Sequence, residues 1–90
     1  MKDSLYIKSQ LDRELTMFQT LSDNSKKISK EKIDLLAWIY NFGKLRTENE
    51  LRIKLRNVEE ELLALTFQVR PDITIEKQIK AKLGILQDII

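Results

Sequence analysis

Arg13, Lys44, Arg46, Arg52 and Arg56 are the side chains of this chain best suited to grip a charged substrate. Arginine and lysine hold dianions through charge-assisted hydrogen bonds, and small all-helical mutases work in that way. The spacing of that type of family is absent here. Histidine and cysteine are absent altogether. Without them neither a Ser-His-Asp triad nor a Cys-His pair can be built. The usual ligands of zinc, haem and iron–sulfur clusters are missing as well. A carboxylate-only magnesium site stays formally open. Gly43 and Gly84 are the only glycines, so there is no glycine-rich phosphate loop. The expectation is a non-catalytic protein with no metal, no cofactor and no small-molecule substrate.

The cations have a second use, contact with phosphates, which needs charge and no motif. Net charge is only +2 but is unevenly spread. From Lys26 to Arg56, nine basic residues meet four acidic ones, a net of +5; from Asn57 to Glu76, one basic residue meets five acidic ones, a net of −4. Lys26, Lys27, Lys30, Lys44, Arg46, Arg52 and Arg56 are therefore the candidate contacts if the chain is a nucleic-acid-associated accessory subunit of a replication or transcription machine. Against this, Glu48 stands at helical spacing from Arg52, and Glu60 from Arg56, so both arginines can be neutralised on a solvated helix. Residues 33–66 also invite a helix-turn-helix reading. Its recognition helix would open with Glu59-Glu60-Glu61, which repels phosphate.

The elements that position these residues are read from apolar spacing. Leu51, Leu55, Val58, Leu62, Leu65 and Val69 recur at intervals of four and three, the coiled-coil pattern. They define one helix over 48–69, about 22 residues or some 33 Å long. Its stripe runs through Asn57 without a change of phase, which argues against a helix break there. Thr47 and Glu50 form a capping box at its start, and Pro71 stops it.

Three further helices are expected. The first covers 3–21, with Leu5, Leu11, Leu15, Phe18 and Leu21 near one face, and ends in the polar cluster Ser22-Asp23-Asn24-Ser25. The second covers 30–42, with Ser29 as N-cap and Gly43 closing it. The fourth covers 74–90, capped by Asp72 or Thr74. Gly84 lies inside it and marks a break or a close helix contact. The predicted fold is all-α: a small antiparallel three- or four-helix bundle, one domain over 1–90, with the long third helix as its spine.

The heptad stripe serves either as an internal seam or as an intermolecular coiled coil. Three other helices compete to cover it, so the internal seam is the expected use. Trp38 and Tyr40 sit in a segment that is apolar around most of its circumference, and aromatic residues dominate both cores and interface hot spots. A chain of ninety residues has little interior to offer them. The favoured reading is an interaction or assembly subunit that self-associates or docks on a larger protein. Its candidate contacts are Trp38, Tyr40, Leu51, Leu55, Val58, Leu62, Leu65 and Val69. No apolar run approaches the roughly 20 residues that span a bilayer. The N-terminal MKDSLYIK lacks a signal-peptide pattern. A cytoplasmic protein with no membrane association is expected.

Overall fold

The computed structural model describes residues 1–90 and contains four α-helices and no strand. They are α1 (Ser4–Phe18), α2 (Asp23–Tyr40), α3 (Glu48–Thr66) and α4 (Ile73–Ile89). Together they make a small all-α bundle. Helices α2 and α4 form the central pair: α1 packs on α2, and α3 packs on α4. Consecutive helices run antiparallel. Gln78 Nε2 donates to the Lys27 carbonyl, and Lys82 reaches Glu31, so α2 and α4 run the same way. The Lys2 N–H donates to the Ile89 carbonyl at 2.9 Å, tying the entry of α1 to the exit of α4. The molecule measures 41 × 33 × 17 Å. Two packed helices span about 14 Å between outer Cα atoms, so the short dimension holds barely two layers.

Each helix starts where a side chain satisfies free backbone N–H groups. Asp3 caps α1 through the Tyr6 N–H, and Asp72 caps α4 through the Thr74 and Ile75 N–H groups. At α3 the capping box forms as expected: the Glu50 N–H donates to Thr47 Oγ1, and the Thr47 N–H donates to Glu50 Oε1. These bonds, with the Arg46 guanidinium close by, hold the Glu50 carboxyl below its ordinary value.

Helix α2 begins seven residues before the expected Ser29–Lys30 boundary. Ser22 is its cap, accepting from the Ser25 N–H, and the polar cluster read as a loop forms its first turn. Such residues favour helix starts as readily as turns. Ser29 is buried in mid-helix instead and donates its hydroxyl to Glu14. The end of α2 also differs. Asn41, Phe42 and Gly43 all take left-handed backbone conformations, with φ of 43°, 58° and 87°. Asn41 rather than Gly43 is the left-handed cap.

Helix α3 stops at Thr66, three residues short of Val69. Pro71 has no N–H, and its ring would strike the carbonyl of Phe67 if the helix continued. The chain closes early instead: the Phe67 N–H bonds back to Ala64, the Gln68 N–H to Leu65, and the Thr66 hydroxyl to the Leu63 carbonyl. No break occurs at Asn57. Helix α4 likewise passes Gly84 unbroken, and a Cβ added there would meet nothing within 4 Å. Neither a break nor a close helix contact explains that glycine.

The core is Ile7 of α1, Leu35, Leu36 and Ile39 of α2, Leu51, Val58 and Leu65 of α3, and Ile79, Leu83, Leu86 and Ile89 of α4. On α1 the expected face holds in part: Leu11, Phe18 and Leu21 are half-buried, but Leu5 is 73% exposed and Leu15 also lies in solvent. The inward line is Ile7, Leu11, Glu14 and Phe18, again at intervals of four and three. A glutamate in the third seat disguised it.

Candidate functional site

The expected contact residues divide into three groups. Leu51, Val58 and Leu65 are buried against the rest of the bundle, with Leu55 and Leu62 half-buried beside them. The heptad stripe is thus an internal seam, and another protein reaches it only if the bundle opens. Val69 lies beyond the end of α3 and is 98% exposed. It does not belong to that seam.

Trp38 and Tyr40 are half-buried and pack at the margin of the core. The guanidinium of Arg46 sits 4.3 Å from the Trp38 ring centroid, and Lys54 Nζ lies 5.6 Å away. Arg46 Nε also donates to the Trp38 carbonyl. These contacts join the end of α2 to α3 and to the segment that leads into it.

The basic residues do not form one surface. Lys26, Lys27 and Lys30 lie at the start of α2, whereas Lys44 and Arg46 follow its end, about 20 Å along the helix. Arg46 pairs with Glu50 and Arg52 with Glu48. Arg56 makes no ion pair, and neither does Glu60; the i, i+4 bridge open to them by spacing is not formed.

A cleft of about 600 Å³ opens between α1 and α4 over α2. Its floor includes Ile28 and Leu36, and Gly84, Ile85 and Lys77 form the α4 wall. The Tyr6 hydroxyl closes one end by donating to Asp88 Oδ2 at 2.5 Å. That bond to a carboxylate raises the Tyr6 phenol above its ordinary value. Carboxylates nowhere gather in a metal-binding group.

The apolar surface that the sequence reading missed lies on the opposite side of α3 from its seam. Ile53 is 63% exposed, Leu63 58% and Phe67 80%. Val69, in the α3–α4 turn, and Ile73, at the start of α4, are also largely in solvent. Asn49, Arg52, Ile53 and Arg56 bound a shallow hollow on the same face of α3. The available signal was a second line with the seam's spacing, Asn49, Ile53, Arg56, Glu60, Leu63 and Phe67. Two charges at its centre hid it among polar positions.

A four-helix all-α bundle with an apolar outer edge along α3 is the class that fold and surface define. No protein-family model, characterised protein or solved structure matches this chain. No helix in it is long and apolar enough to cross a membrane.

Proposed function

We propose that this chain is a non-catalytic helical assembly subunit that presents the outer side of α3 and the α3–α4 turn to another protein surface. One observation carries the reading. Ile53, Leu63, Phe67, Val69 and Ile73 are all more than half exposed, and they belong to α3 and the turn that leads into α4. Isolated apolar residues on a surface are ordinary. Three on the outer face of one helix, with Arg56 and Glu60 between them, and two more at the adjoining turn, mark an interaction site. The contact set therefore moves from the seam residues of α3 to the residues on its back.

The two charge blocks suit the same role. Arg52 and Arg56 lie on the N-terminal half of α3, and Glu59 and Glu60 on its C-terminal half. A partner laid along the helix would be read in one direction only. Fractionation of a native extract by size, with detection of this chain, tests the reading. The expected result is elution well above the monomer mass of 10.6 kDa. Elution of the whole population at that mass, in extract and at high concentration, would dispose of it.

A further inference from the structure

We infer that the outer face of α3 is a self-complementary seam on which a second copy of this chain docks in antiparallel orientation. This rests on the assembly reading above and names the partner. At 100° per residue, the line Asn49, Ile53, Arg56, Glu60, Leu63 and Phe67 lies opposite the buried Leu51, Val58 and Leu65. Helix α3 thus carries two coiled-coil lines back to back. One is filled by its own chain, and the other is open.

The order of residues on the open line selects the occupant. A two-fold axis through the level of Val58 sets Ile53 against Leu63 of the second copy, Arg56 against Glu60, and Asn49 against Phe67. Each pairing is repeated by symmetry, as an isologous contact requires. The spacing also places the first seat of one heptad opposite the second seat of the other, the arrangement that antiparallel helices need. Parallel docking would face Arg56 with Arg56 and Glu60 with Glu60. Like charges therefore disfavour that orientation.

Shape and charge agree with this register. The hollow on α3 is bounded by Asn49, Arg52, Ile53 and Arg56, at steps of three, one and three. Four residues so spaced form the hole that receives one knob from a facing helix. In the two-fold register that knob is Leu63 of the second copy, which is 58% exposed in the monomer. Arg56 and Glu60 have no ion-pair partner within the chain, so each can serve the other across the seam without breaking a bond. With one helix per copy, the contact lies at the small end of specific interfaces. A small contact of this kind makes a weak dimer that forms as concentration rises.

Sedimentation of the purified full chain from about 1 µM to about 1 mM tests the inference. The expected mass rises from 10.6 kDa toward twice that value. Arg56→Glu and Glu60→Arg each weaken association at least tenfold, and the double variant Arg56→Glu/Glu60→Arg restores it. Leu63→Ser weakens it as well, with the far-ultraviolet dichroism of the monomer unchanged. A wild type that stays monomeric at the highest concentration overturns the inference, and so does a dimer indifferent to both charge reversals. If the purified chain is monomeric yet elutes from native extract in a larger particle, only the second-copy inference falls. Monomer in both settings removes the assembly reading too.

Discussion

Ser29, 2% exposed in the middle of α2, donates its hydroxyl to Glu14 Oε2 at 2.9 Å across the α1–α2 contact. Lys32 Nζ lies 3.6 Å from the other oxygen of the same carboxylate. Glu14 occupies a seat on α1 that the spacing of its neighbours reserves for an apolar residue. The hydroxyl and the ammonium make that placement tolerable, since a carboxylate turned inward needs partners. The same hydroxyl fixes the level at which α1 meets α2.

Ser29→Ala removes one of those partners without adding bulk. A hydrogen bond to a charged group is worth about 1.5–3 kcal/mol. Partial exposure of Glu14 puts the expected loss near the lower figure, about 1.5 kcal/mol, or roughly 6–12 °C in midpoint for a chain of this size. Thermal unfolding followed by circular dichroism measures it. An unchanged midpoint would mean that water replaces the hydroxyl.

The capping box of α3 makes stability sensitive to acid. The Glu50 carboxyl is held below its ordinary value, first by the Thr47 backbone N–H and then by Arg46 and the Thr47 hydroxyl. A group depressed in the folded state contributes stability above its unfolded value and loses it as pH falls through the folded one. Stability therefore declines as pH falls below the ordinary glutamate range, and Glu50→Gln makes the decline shallower. Urea midpoints compared at neutral and acidic pH decide the matter; equal acid slopes in the two proteins would contradict it.

Two backbone positions carry avoidable cost. Gly84 lies inside α4 with open space where its Cβ would go. Gly84→Ala should stabilise the chain by about 0.5–1 kcal/mol. Phe42 holds φ at 58° while its side chain is fully in solvent. Phe42→Asn should stabilise by a similar amount, about 0.5–1 kcal/mol, because asparagine accepts the left-handed conformation more readily. Denaturant titration reads both, and a loss of stability at Gly84→Ala would show that the site is less open than its geometry.

The two ends of the sequence stripe should behave oppositely. Leu51 is fully buried and Val69 fully in solvent. Leu51→Ala is expected to cost about 2–5 kcal/mol through lost burial and a residual cavity. Val69→Ala should stay within about 0.5 kcal/mol. Comparable losses at both positions would place Val69 in the core and extend α3 beyond Thr66.

The sequence by itself determined that the chain is helical, where α3 begins, and which face of α3 turns inward. Those properties follow from local chemistry: a capping box acts over four residues, and a three-four spacing is a statement about one helix. It also determined the absence of thiol and imidazole chemistry, which is a matter of composition alone. Only the tertiary structure decided which serine caps α2, which side of α1 is buried, and where the open apolar edge lies. Ser22 and Ser29 are both competent caps, and the carboxylate across the contact assigned the second one to the interior. Glu14 and the pair Arg56 and Glu60 each stand inside a line of apolar spacing, where a reader of the chain sees interruption. An inward or outward assignment for such residues depends on what faces them, and the facing residue comes from another helix or from another molecule.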